Sequence, residues 1–171
     1  MKPAGMRPAG TVVIGLGNVV CSDDGVGVQA VARLRERLVS QPDLTLVEGG
    51  TAGMLLLPHL ADAERAIIVD AIDIGAEPGT LVRLGGDQFA SAFSAGTTVH
   101  DVGLRDLLGA ARLSGAWPEQ LVLHGVQPGS TALGTDLTPT VAAALDGLVD
   151  SVAGELAAWG AALPQAEAAA R

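Results

Sequence analysis

Three features of this 171-residue chain point to a single α/β domain, a three-layer arrangement with a mostly parallel twisted sheet and helices on both faces. Short β-branched apolar runs alternate along the chain with segments of helical period. The run Ala66-Ile-Ile-Val-Asp70 is apolar on both faces, as a central parallel strand must be. No internal repeat or second composition breaks the pattern, so residues 11–160 read as one domain, with 1–10 as an N-terminal extension and 161–171 as a tail.

Thr11-Val-Val-Ile14 runs into Gly15-Leu-Gly17-Asn18 and therefore reads as a buried strand followed by a tight turn. Val28, Val31, Leu34 and Leu38 then recur at helical spacing among Arg33, Arg35, Glu36 and Arg37, which predicts an amphipathic helix beginning near Asp24. Leu44 to Glu48 is a second strand closed by Gly49-Gly50, and Met54 to Leu60 a short helix. Ala66 to Asp70 is the third strand, Pro78-Gly79 a turn, and Thr80 to Leu84 a further strand. Gly85 to Thr98 lacks periodicity and reads as a loop. Leu104, Leu107, Leu108, Ala111 and Leu113 mark a helix after His100-Asp101, which Trp117-Pro118 is expected to break. Gln120 to Gly125 is another strand, and Val141, Leu145, Leu148, Val152, Leu156 and Trp159 draw a helical stripe from about Pro139 to Trp159. Pro164 to Arg171, an Ala/Gln/Glu tail, is expected to be disordered.

Composition narrows the function classes. A net charge of −9 and a pI near 4.5 repel nucleic acid and anionic membrane surfaces. Aromatic residues make up 2% of the chain, with no Tyr, so the core is aliphatic and tyrosine chemistry and base-stacking platforms are excluded. One cysteine, Cys21, can form neither an internal disulfide nor a thiolate metal cluster, which fits a reducing cytoplasm. Lys2 and Arg7 ahead of the apolar run up to Val20 superficially copy a leader peptide. Gly15, Gly17 and Asn18 interrupt the run and bulky Val20 precedes the cysteine, so that reading fails. No stretch reaches the roughly 18 uninterrupted apolar residues of a membrane helix.

In open parallel sheets ligands bind beyond the carboxyl ends of the strands. By that rule Asn18 to Asp24, Gly49 to Thr51, Asp70 and His100 are expected at one edge. Gly15-Leu-Gly17 is half of a dinucleotide fingerprint, but Val20 takes the third glycine's place and Asp23-Asp24 would repel a pyrophosphate. No Walker loop, HExxH helix or Ser/His/Asp arrangement is present. Asp23 and Asp24 project about 100° apart on a helix, so one can cap amides while the other points outward. Asp70 at the end of an apolar strand costs several kcal/mol to bury unless paired, hydrogen-bonded or bound to a cation, at roughly the scale of other buried charges. Of the three histidines, His59 reads as a surface or capping residue and His124 as a satisfied structural one. His100, at a helix start, is favoured as the neutral imidazole that ligates metal. Asp24, Asp70 and His100 together would form an open oxygen/oxygen/nitrogen site for zinc or nickel, or they are three unrelated structural residues. Gly49, Gly50 and Thr51 could present backbone groups to an extended peptide, although a glycine-rich turn explains them equally well.

The ordered segments Gly15-Leu-Gly17-Asn18, Ser22-Asp23-Asp24-Gly25-Val26-Gly27, Glu48-Gly49-Gly50-Thr51-Ala52-Gly53, Val69-Asp70-Ala71, His100-Asp101-Val-Gly103-Leu104 and Leu137-Thr138-Pro139 resemble the hydrogenase maturation endopeptidases over residues 11 to 159. The resemblance implies a cytoplasmic protease, expected as a monomer, that removes a C-terminal extension from the large-subunit precursor of nickel-iron hydrogenase after nickel insertion. It places the family's metal-contacting positions on Asp24, Asp70 and His100, with Asp24 one methylene shorter than the glutamate of some members. It implies nickel carried by the substrate, for which zinc or cadmium would stand in when the enzyme is isolated. A carboxylate, Asp24 or Asp70, would then activate water, or the metal would polarise the scissile carbonyl. Two rivals remain. Peptidyl-tRNA hydrolase shares the GlyLeuGlyAsn opening but follows it with proline where Val19 stands, and its substrate suits a charge of −9 poorly. A nickel-dependent chaperone would bind the same precursor without cutting it.

Overall fold

Each long helix carries an apolar stripe on one side, whereas the inner strands are apolar on both, and a sheet held between two helical layers buries all of these faces. The computed structural model describes residues 10–38, 40–85, 88 and 102–161. Within them, β1 (Thr11–Leu16), β2 (Leu44–Gly50), β3 (Arg65–Ala71), β4 (Leu81–Gly85) and β5 (Gln120–Val126) form a sheet of order β2-β1-β3-β5-β4. β1, β2, β3 and β5 are mutually parallel, and β4 runs antiparallel along β5. The chain leaves β1 toward β2 on one side and returns to β3 on the other. The topological switch point, where such sheets open a crevice, therefore lies between β1 and β3.

The helices are α1 (Val26–Arg37), α2 (Leu57–Ala61), α3 (Val102–Ser114) and α4 (Pro139–Ala158), with single 3₁₀ turns at Ser22–Gly25 and Gly53–Leu56 ahead of α1 and α2. Strand alternation sorts the side chains into two aliphatic cores. Val13, Ile67 and Val69 pack with Val31 and Leu34 of α1 and with Leu148, Val152 and Leu156 of α4. Ile14, Ile68 and Leu123 pack on the other face with Leu60 of α2 and with Leu104 and Leu107 of α3. The most continuous apolar run, β3, is the middle strand, as its pattern requires.

Several boundaries differ from expectation for local reasons. α1 begins at Val26 rather than near Asp24, because Ser22–Gly25 is a tighter turn whose carboxylates serve other partners. β2 runs through Gly49 and Gly50 instead of closing before them. α3 ends at Ser114, not at Trp117-Pro118. Gly115 adopts φ +70° and the Ala116 amide donates to the Ala111 carbonyl at 2.8 Å, a glycine-dependent cap that stops the helix earlier. α4 ends the same way, with Gly160 at φ +85° and the Ala161 amide on the Leu156 carbonyl at 2.9 Å. The expected loop after Gly85 and the tail from Pro164 lie outside the described residues, Gln88 excepted, as do residues 1–9.

Candidate functional site at the carboxyl edge of the sheet

The glycines that resembled a nucleotide fingerprint serve helix packing instead. A Cβ on Gly15 would lie 2.2 Å from the Gly27 carbonyl oxygen, and one on Gly27 would lie 2.2 Å from the Val69 carbonyl and 2.4 Å from that of Leu16. α1 thus starts directly on the backbone of β1 and β3. Gly17 has φ +115°, and a Cβ there would sit 1.7 Å from the Asp24 carbonyl oxygen. Only glycine lets the turn fold back onto itself at this point. The Asn18 amide then donates to Asp24 Oδ2 at 2.7 Å, which fixes the half-buried Asp24 carboxylate beside the switch point.

Its neighbour Asp23 does different work. Asp23 is fully buried and accepts hydrogen bonds from the Gly129 amide (2.8 Å), the Ser130 amide (3.0 Å), the Thr138 amide (2.6 Å) and the Thr138 hydroxyl (2.8 Å). Burial pushes the Asp23 carboxyl up. The Thr138 and Ser130 amides, the Thr138 hydroxyl and the Gly129 amide outweigh burial and hold it below its ordinary value of 3.8. Backbone pairing extends the clamp: the Ser22 amide donates to the Gly134 carbonyl at 2.8 Å and the Gly134 amide to that of Val20 at 3.0 Å. Ser22 takes φ +51° to make this fit, and its hydroxyl donates to the Ala132 carbonyl at 2.8 Å. The two adjacent carboxylates therefore split their roles, as their spacing predicts. Neither caps α1 through its side chain.

Asp24 opens into a cleft of about 150 Å³ whose other walls include Ala71, Asp73, Gln127, Gly129 and Ser130. Asp73 was not singled out from the sequence, although it stands three positions after Asp70, just beyond the strand end, where the edge rule also applies. Its Oδ1 accepts from the Gly75 amide and from Gln127 Nε2, each at 3.1 Å. Asp70 is 2% exposed, and its Oδ1 accepts the Ala71 amide at 2.8 Å. By strand alternation it shares the face of Ile68, the one covered by α2 and α3, whereas Ala71 faces α1 and α4. Asp24, in the turn that follows β1, and Asp70, at the end of β3, thus flank the switch point. His100, the third predicted member, lies outside the described residues. Among the described residues alone, no three His, Cys, Asp or Glu side chains form a metal-binding group.

Gly49 is a packing glycine: a Cβ would come within 2.9 Å of Ile14 and 3.0 Å of Leu56. Gly50 adopts φ +52°, and its carbonyl accepts the Gly17 amide at 3.1 Å, which ties the turn after β2 to the turn after β1. Thr51 is exposed at the same edge. His124 is the satisfied core residue expected from its strand. Its Nδ1 lies 2.9 Å from Ser151 Oγ and its Nε2 3.3 Å from Glu155 Oε2, and burial holds its pKa below the ordinary 6.5. Arg83 grips Glu155 through Nε (2.6 Å) and a terminal nitrogen (2.9 Å), holding that carboxylate below its ordinary range. His59 is exposed at the opposite, amino edge beside Thr11 and Thr45.

Comparison with known proteins identifies the family and the fold. The family model described as hydrogenase maturation protease matches residues 28–155. The chain is 37% identical over 156 residues to the hydrogenase expression/formation protein HupD of Rhodobacter capsulatus, covering 90% of this chain and 74% of that protein. It is 36% identical over 142 residues to the hydrogenase 2 maturation protease of Escherichia coli, covering 82% and 87% respectively. The structure superposes on the hydrogenase maturating endopeptidase HybD from E. coli with a TM-score of 0.83 and 35% identity, covering 91% of this chain and 98% of that one.

Proposed function

The chain belongs to the hydrogenase maturation protease family, and from that membership we propose that it cuts the C-terminal extension from the large-subunit precursor of a nickel-iron hydrogenase once nickel has been inserted. The placement of Asp24 and Asp70 on either side of the switch point is the observation that carries this reading. Nickel enters as part of the substrate, and Asp24, Asp70 and His100 recognise it there. A zinc or cadmium ion on the isolated protein would be a stand-in for it. No helix among the described residues is long and apolar enough to cross a membrane, and we place the reaction in the cytoplasm, with one monomer meeting one precursor.

The environments of the two carboxylates favour different tasks. Asp24 is half-exposed and lines the cleft, so it can reach a water beside the scissile carbonyl and take its proton as general base. Asp70, buried beneath the edge, is suited to hold charge toward the substrate's metal, where its rigidity fixes the ion's position. Gly49, Gly50 and Thr51 border the path of an extended peptide over β1 and β2. With nickel-loaded precursor as substrate, Asp24→Asn, Asp70→Asn and His100→Ala should each lower processing about a hundredfold or more, the scale of losing a general base or an electrostatic partner. Wild-type rates in Asp70→Asn or His100→Ala would remove those residues from the site. A precursor that binds but never loses mass would identify the chain as a chaperone instead.

A further inference from the structure

The same edge of the sheet that carries the carboxylates also carries most of the large apolar side chains left in water among the described residues. Val19 and Val20 (45% and 48% exposed) follow β1, Met54 and Leu55 (49% and 80%) follow β2, Ile74 (36%) follows β3, and Leu133 (87%) lies in the loop after β5. Leu81 (40%) belongs with them, because β4 is antiparallel and its first residue pairs with Val126 at the carboxyl end of β5. Seven of the eight exposed large apolar residues among the described ones therefore lie at one edge, and Leu113, at the end of α3, is the exception. Scattered single exposed leucines need no explanation, but an apolar collar around a polar cleft marks a surface that meets another protein.

The collar is held outward by the backbone. Val20 and Leu133 sit on the pairing between residues 20–22 and 134, and Asp23 locks the base of that pairing with four hydrogen bonds. Their exposure is thus built into the fold, and a rigid apolar surface loses little entropy when it is covered.

We infer that this collar is a docking surface for an apolar face of the large-subunit precursor around the attachment point of its C-terminal extension, so that recognition rests on the folded precursor as well as on the peptide in the cleft. The inference depends on the proteolytic reading only for the identity of the partner. The collar adjoins the Asp24 cleft at Val20 and Leu133, because the cleft's walls include Asp24 and Ser130, the Asp23 amide donates to the Ser130 carbonyl at 3.1 Å and the Gly134 amide to that of Val20 at 3.0 Å. A protein whose peptide enters the cleft therefore meets this side of the collar, which commits the collar to that partner. Binding of this kind is driven by apolar burial and should depend weakly on salt despite the net charge of −9.

The test compares the Leu55→Asp/Leu133→Asp double variant with a Leu113→Asp control, all at exposed positions where substitution leaves folding intact, as circular dichroism and urea midpoints would verify. Affinity for the precursor retaining its extension is read by calorimetry, and processing by intact mass. The double variant is expected to bind about tenfold or more weakly, the scale of losing interface anchors, with KM raised correspondingly and kcat within about twofold, while Leu113→Asp matches wild type. Equal affinity of all three proteins would overturn the inference. So would a self-association of the wild type that the double variant abolishes while keeping full affinity for the precursor, because the collar would then be a contact between copies. Calorimetry reads docking without cleavage, so binding lost in the double variant with no mass change in wild type would retain the docking surface and remove the protease reading.

Discussion

Replacing Asp23 by asparagine isolates the contribution of one buried carboxylate. Oδ2 receives the Gly129 and Ser130 amides and the Thr138 hydroxyl, while Oδ1 receives the Thr138 amide at 2.6 Å. Asparagine has one acceptor oxygen. If that oxygen keeps the three partners of Oδ2, its amino group faces the Thr138 amide, donor against donor. One bond to a charged acceptor is lost, at about 1.5–3 kcal/mol, and a buried N–H is left unsatisfied, at about 1–3 kcal/mol. Because the neighbouring loop can relax, we take about 3 kcal/mol as the expected loss, which at about 2–4 °C per kcal/mol for a domain of this size lowers Tm by about 9 °C.

Urea unfolding at about pH 7 and about pH 3 checks both size and sign. The folded carboxyl sits below 3.8, so its stabilisation is complete above the unfolded value and is lost as pH falls through the folded one. The wild type should therefore lead the variant at neutral pH and lose part of that lead in acid. A difference at neutral pH under about 0.5 kcal/mol, the size of an ordinary surface substitution, would refute the clamp. So would a difference that acid leaves unchanged.

Gly27→Ala should cost about 3 kcal/mol or more in urea unfolding, because backbone carbonyls 2.2 and 2.4 Å from the new Cβ force α1 off the sheet; an unchanged midpoint would show that α1 does not start on the β1 and β3 backbone. In an NMR titration the His124 ring should be less than half protonated at pH 6.5, where an ordinary histidine is half protonated. Its lowered pKa makes its contribution complete above 6.5 and eroded as pH falls below it, so half protonation at 6.5 would contradict burial as the controlling cause.

Much of this arrangement is legible in the residues themselves. The alternation of apolar runs with helical stripes dictates a covered parallel sheet, and the unbroken apolar run of β3 dictates the central position it occupies. The edge rule then brings Asp24 and Asp70 to one side without any knowledge of the fold's topology. Direction and long-range partnership are harder to read. Nothing in Thr80 to Leu84 signals that β4 runs antiparallel, since an edge strand tolerates either sense. Asp23 looks locally like a helix cap, yet the four hydrogen bonds its carboxylate accepts reach residues 106, 107 and 115 positions away, and no periodicity encodes such a contact. Trp117-Pro118 is the louder break after α3, but Gly115, in its αL cap, ends the helix two residues sooner.

The glycine motif carries a more general lesson. Gly15 and Gly17 have the spacing of the first half of a phosphate-binding turn, but the space beside them and beside Gly27 is occupied by backbone, with the Asp24, Gly27, Val69 and Leu16 carbonyls where side chains would stand. The same close approach that elsewhere admits a pyrophosphate here seats a helix and delivers a carboxylate to the switch point.

Incubating the purified protein with nickel-loaded and with nickel-free large-subunit precursor, and weighing the large subunit by intact mass spectrometry, tests the central claim most directly. Loss of the C-terminal peptide from the loaded precursor alone is the expected result. Cleavage of both forms would contradict recognition through the substrate's nickel, and cleavage of neither would contradict the protease.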